Sequence, residues 1–64
     1  MKLARIIYRD IPWCLSDDSL INPEVGTIVQ YEIVSLKSYE VYFPGCSVGC
    51  SVDWRLFCVY FEPL

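Results

Sequence analysis

The chain contains no histidine. That absence removes His-based general acid–base catalysis, the Ser–His and Cys–His nucleophile pairs, and every His metal ligand. Glycine is scarce: Gly26, Gly45 and Gly49 are scattered rather than gathered into a phosphate-cradling loop. Cations are few as well, five Lys and Arg against eight Asp and Glu, for a formal charge of −3. Their one cluster, Lys2, Arg5 and Arg9, is too thin a footprint for a duplex bound through its phosphates. Aromatic platforms for single strands come with a positive groove, which is missing here, so the composition argues against nucleic acid as a partner. The adjacent carboxylates Asp17 and Asp18 are too sparse to imitate a nucleic acid, and as neighbours in a loop they read as a solvated turn rather than an acid–base dyad.

Long apolar runs are also missing. Nothing approaches the roughly 18 to 20 residues that cross a bilayer, and the first ten residues carry their charges throughout rather than ahead of an apolar stretch. The expectation is a chain with neither signal peptide nor membrane span, and hence a cytoplasmic protein with reduced thiols.

What is present is one small, apolar-rich domain over residues 1–64, with 55% hydrophobic residues. A chain this short buries only about 60% of the surface its unfolded form exposes, so its stability is expected to be marginal. Residues 2–9 alternate, with Ala4, Ile6 and Tyr8 on one side, and Pro12 ends that strand. From Trp13 to Pro23 the turn formers Ser16, Asp17, Asp18, Ser19, Asn22 and Pro23 predict a long surface loop, anchored by Trp13, Leu15, Leu20 and Ile21. A rival reading makes Ser16 the cap of one short helical turn. Residues 25–34 read as a long strand with Val25, Val29, Tyr31 and Ile33 on one face, and Gly26 marks a bulge, a bend or a close backbone approach. Residues 39–43 complete a hairpin with it. Pro44-Gly45 ends the third strand, a small-residue loop follows, residues 53–57 resume extended structure, and a turn at Cys58-Val59-Tyr60 leads to a last strand at Phe61-Glu62-Pro63-Leu64. Four to five short antiparallel strands with a long first loop predict an all-β fold, a small closed barrel, because closure removes exposed edges. Its expected core includes Ile6, Val25, Val29, Val41 and Leu56.

The segments Tyr8-Arg9-Asp10-Ile11-Pro12, Glu24-Val25-Gly26-Thr27-Ile28-Val29, Tyr39-Glu40-Val41-Tyr42-Phe43 and Phe61-Glu62-Pro63-Leu64 together resemble small bacterial SH3-like barrels, including short proteins of the domain of unknown function 4926 group. The resemblance implies an SH3-like barrel and leaves function open. The stretch from Pro44 to Val52, with two cysteines, departs from the pattern, which usually carries more polar residues there.

Three functional readings follow. The first is a non-enzymatic binding module without a cofactor, a regulator or inhibitor of a larger protein, docking a protein partner or a second copy of itself. Ten aromatics exceed what so small a core is expected to hold, and the SH3-like resemblance places Trp13 near Tyr42 and Trp54, with Arg55 adjacent, as the partner-binding surface. The plainer alternative is that both tryptophans only close the ends of the barrel. The second reading is a zinc-stabilised β domain using Cys14, Cys46, Cys50 and Cys58, although only Cys46 and Cys50 lie close in sequence. The third is a thiol-redox protein using Cys46 and Cys50. Against both stands the reading of four plain thiols, with Cys14 and Cys58 buried and Cys46 and Cys50 in a flexible loop.

Overall fold

A computed structural model describes residues 2–64. Its elements, in chain order, are β1 (Lys2–Ile6), β2 (Trp13–Cys14), β3 (Leu20–Ile21), β4 (Ile28–Ile33), β5 (Ser38–Tyr42), β6 (Cys50–Asp53), α1 (Trp54–Tyr60) and β7 (Phe61–Pro63). Five strands form one antiparallel sheet in the order β6-β5-β4-β1-β7, curled into a half-barrel. Strands make up 43% of the chain and helix 11%, and the half-barrel is compatible with the small all-β barrel expected from the sequence, with β6 and β7 left as edges where closure was expected.

Period-two alternation sets the register. Ala4 pairs with Val29, Tyr31 with Val41 and Val41 with Cys50, so the inward residues of four strands meet in one layer. Arg5, Gln30, Glu32, Glu40 and Ser51 point to the outer face between them. Ile6, Val29 and Val41 are buried as expected, whereas Val25 is 56% and Leu56 49% exposed and neither belongs to the core. Val25 sits in the turn before β4, where the Thr27 N–H bonds to the Glu24 carbonyl, and the strand begins only at Ile28. Gly26 therefore marks a bend, with open space where a side chain would stand. Ile33 keeps the inward phase but lies past the end of the core, and it is exposed.

The principal correction is α1. Residues 54–60 are helical, where an extended strand and a turn were expected. Asp53 supplies the reason: its backbone stays extended and its carboxylate accepts the N–H of Arg55, an N-cap that satisfies one orphan donor of the first turn. The helix then turns Phe57 and Tyr60 inward, at the spacing of one face, and Phe61 continues that burial as β7 begins.

The interior is aromatic. Phe57 has ring centroids 4.7 Å from both Tyr31 and Tyr39 and 5.1 Å from Phe61, and Phe61 lies 5.3 Å from Trp13. These offset and tilted geometries suit the ring quadrupoles. Trp13 and Leu15 thus anchor the long first loop from below, as a short β2-β3 hairpin, while Leu20 faces out. The rival helical turn at Ser16 does not form. Asp18 takes a positive φ of 67°, and Asp17 accepts the N–H and hydroxyl of Ser19 in a local turn.

Replacing Phe57 by Ala should cost about 3 to 5 kcal/mol, combining lost burial with a cavity, while Val25→Ala should stay within about 0.5 kcal/mol. Denaturant unfolding of the two variants against the wild type checks both, and equal losses would put Phe57 outside the core.

Candidate functional site

The expected surface of Trp13, Tyr42 and Trp54 is not assembled. Trp13 is buried, its ring edge-on to Tyr60 at 5.1 Å and tilted against Phe43 at 6.1 Å. The loop that carries it is held down at both ends. Arg9 donates from Nε to Asn22 at 2.9 Å and pairs with Glu24, and the Ser16 N–H bonds to the Gly49 carbonyl. Six of the ten aromatics are buried, Trp13, Tyr31, Phe43, Phe57, Tyr60 and Phe61, and Tyr8, Tyr39, Tyr42 and Trp54 are left wholly or partly outside. Tyr42 and Trp54 reach the surface at opposite ends of β5. The N–H of Trp54 bonds to the Lys37 carbonyl beside the start of that strand, and Tyr42 is its last residue, about 13 Å further along at the usual strand rise.

Two surfaces result. The first surrounds Trp54. The guanidinium of Arg55 lies 5.7 Å from the Trp54 ring centroid, within cation–π range, and α1 also exposes Leu56 and Val59. The adjoining β4-β5 hairpin adds Ile33, Val34 and Leu36, the last 94% exposed. This turn is closed by polar links, the Ser35 N–H to the Ser38 carbonyl and the Lys37 N–H to the Ser35 hydroxyl, which leave the Leu36 side chain at the tip.

The second surface is a half-open trough of about 370 Å³ on the outer face of the sheet. Leu3, Ile28, Gln30 and Tyr42 line it, walled by the turn from Phe43 to Cys46, in which Pro44 and a left-handed Gly45 (φ 81°) let the Cys46 N–H close back on the Phe43 carbonyl. The Tyr42 phenol donates to Glu32 at 3.0 Å. Glu32 and Glu40 stand directly opposite each other in the β4-β5 register. Gly49 is needed beneath them, because a Cβ there would come within 2.9 Å of the Tyr42 ring and 3.0 Å of a Glu40 carboxylate oxygen.

The hydrogen bond to Glu32, with burial and the charges of Glu32 and Glu40, raises the Tyr42 pKa above its ordinary value. Tyr60 is raised likewise, first by donating to Asp10 at 2.8 Å, a bond that ties α1 to the first loop.

The four cysteines are free thiols. Cys14 and Cys58 are exposed rather than buried, and Cys50 is buried in β6 rather than held in a flexible loop. Among the described residues no three of His, Cys, Asp and Glu come together as a metal site, so the four-thiolate arrangement is not gathered. Burial pushes the Cys50 thiol up, and the neighbouring Glu40 and Cys14 add to the shift. Among the described residues no helix is long and apolar enough to cross a membrane. No family model matches the chain, and comparisons with curated proteins and with solved structures give no match.

The sequence reading missed the trough, Glu32, Glu40 and the hairpin tip. Alternation does put Glu32, Glu40 and Tyr42 on polar phases, but their being opposite one another depends on the register.

Two outcomes check this geometry. A tyrosine whose pKa is raised on folding contributes stability that is complete below its unfolded value near 10 and is lost as pH rises through the folded value. Thermal melts between pH 8 and 12 should therefore fall more steeply for the wild type than for a Tyr42→Phe, Tyr60→Phe double variant, and parallel falls would contradict both hydrogen bonds. With an aromatic disulfide reagent under native conditions, Cys14 and Cys58 should react first and Cys50 last, because a buried protonated thiol is a poor nucleophile. A fast Cys50 would contradict its placement.

Proposed function

We propose that this chain is a small protein-binding module that regulates a larger protein or assembles with copies of itself, without chemistry of its own. One observation carries the reading. Among the described residues fourteen large apolar side chains stand exposed, against a buried core of thirteen. Single exposed apolar residues are ordinary, whereas a concentration of them on a small domain is typical of a contact surface. The concentration is greatest where the β4-β5 hairpin meets α1. There Leu36, Trp54 and Leu56 are accompanied by Lys37 and Arg55, and an aromatic ring with an adjacent Arg is a common anchor of protein interfaces. Trp54 and Arg55 remain contact residues at this surface, with Leu36 added; Tyr42 belongs to the trough at the other end of β5, and Trp13 serves the core instead. A small all-β barrel is also a common scaffold for binding surfaces, although fold alone does not assign one.

The test uses the tagged full chain, with native lysate of its own cell and variants Trp54→Ala and Leu56→Ser. Both positions are at least 39% exposed, so the variants should remain folded. Loss of an anchoring Trp typically weakens binding by about 2 kcal/mol or more, roughly thirtyfold. Proteins retained by the wild type should be depleted to that degree with Trp54→Ala. Identical retention by wild type and both folded variants would end the assignment of this surface.

A further inference from the structure

The two surfaces described above are complementary to each other. The hairpin tip presents an almost fully exposed Leu36 beside Lys37, and the described ion pairs, Arg5–Glu62 and Arg9–Glu24, leave Lys37 without a carboxylate. The trough presents apolar Leu3 and Ile28, each more than 40% exposed, and just beyond its Gln30 and Tyr42 wall, on the side toward the tip, stands the facing pair Glu32 and Glu40, which no cation meets among the described ion pairs. Like charges directly opposite on neighbouring strands repel, and a cation placed between them relieves that repulsion. The third outward row, Glu62, Arg5 and Ile28, is already neutralised by its own ion pair. Among the described residues, the negative charge of this face that has no ion-pair partner thus lies next to the trough, where Tyr42 reaches Glu32.

We propose that the chain self-associates head to tail, the Leu36-Lys37 tip of one copy docking in the outer-face trough of the next, with Leu36 on Leu3 and Ile28 and the Lys37 ammonium facing Glu32 and Glu40. This deepens the binding-module reading, on which it rests, by naming the partner. A second copy is favoured because one chain carries both complementary halves at separate places. The tip precedes β5 and the apolar trough lies at its end, with Glu32 and Glu40 between them, so the Leu36 side chain does not fill its own trough. A two-fold pairing of trough on trough is disfavoured, because it sets Glu32 and Glu40 against the same residues of the other copy. The contact is therefore heterologous, which extends into a ring or an open filament. Its ionic half lies at the surface and is screened by salt.

The experiment is sedimentation of the full chain over a concentration series at low and high salt, with Leu36→Ser, Lys37→Glu and a Glu32→Gln, Glu40→Gln variant. Removing the like-charge pair should not lower thermal stability, so loss of association in the double Gln variant is not a loss of fold. The wild type should associate, more weakly at high salt, and each variant should lower the association constant at least tenfold. The decisive sample mixes Lys37→Glu with the double Gln variant carrying an intact tip. The Lys37→Glu copy keeps its trough and the other keeps its tip. The mixture should therefore gain mass as a one-to-one pair, the intact tip seated in the intact trough; no gain over the separate variants overturns the proposal, and wild type mixed with Lys37→Glu is run beside it to read capping. A Lys37→Glu chain should end wild-type assemblies at one side, shortening them in proportion to its share. Self-association that survives Lys37→Glu, a Lys37→Glu chain that fails to shorten wild-type assemblies, or a wild type that stays monomeric at every concentration overturns the proposal. If Trp54→Ala abolishes capture of other proteins while the wild type is monomeric, the binding-module reading stands and this one falls.

Discussion

Phe57 is the contact on which the rest of the structure depends. A curled five-stranded sheet leaves its concave side open between β6 and β7, and side chains from the sheet alone do not fill it. The chain solves this by running directly from β6 into α1 and from α1 into β7, so that one two-turn helix spans the opening and lowers Phe57 onto Tyr31 and Tyr39. A seven-residue helix has almost no stability of its own. Its cap at Asp53 and the buried Phe57, Tyr60 and Phe61 hold it in place, and in return it closes the core. The Tyr60 carbonyl accepts the Ile7 N–H and its phenol reaches Asp10, so the same element also fixes the start of the first loop.

This solution determines what the surface presents. Rings are drawn inward because they fill the hollow efficiently, and Trp13 is recruited from the far side of a loop to complete the stack. Aliphatic residues are left outside, on the outer faces of β1 and β4, on the hairpin tip and on the outer side of α1. The outer sheet face and the hairpin end differ in charge, acidic at the first and basic at the second, although the chain as a whole is only mildly acidic. That polarity arises from register, since Glu32 and Glu40 are eight residues apart in sequence and adjacent only across the ladder.

Strands β1, β4, β5 and β7 were legible because alternation is a local signal that the sheet preserves. Helix α1 was not, because Phe57, Val59, Tyr60 and Phe61 are strand formers by composition, and a two-turn helix is too short for its period to stand out. The one local sign was Asp53 ahead of an apolar stretch, a cap signature that β propensity outweighed. Trp13 stayed between two readings, loop anchor or contact residue, for a different reason: a loop rich in Ser, Asp and Pro reads as surface, and whether one of its large residues turns inward depends on a vacancy elsewhere in the fold. Cys14 and Cys58 were expected inside on residue type alone, yet each occupies an outward phase, next to Trp13 and Phe57 respectively. The candidate site was the least legible part, since the trough is made by residues from β1, β4 and the turn after β5 that only the folded sheet brings together.

The central claim is the division of aromatics into an inner stack that closes the half-barrel and an outer set left for contact. The two tryptophans report it directly, one on each side of the division. Acrylamide quenching of the single-tryptophan variants Trp13→Phe and Trp54→Phe, each shown to be folded, measures it. The protein that retains Trp13 should emit at shorter wavelength and resist quenching, and the one that retains Trp54 should emit at longer wavelength and be quenched readily. Equal accessibility of the two, or a Trp13 more open than Trp54, would contradict the account.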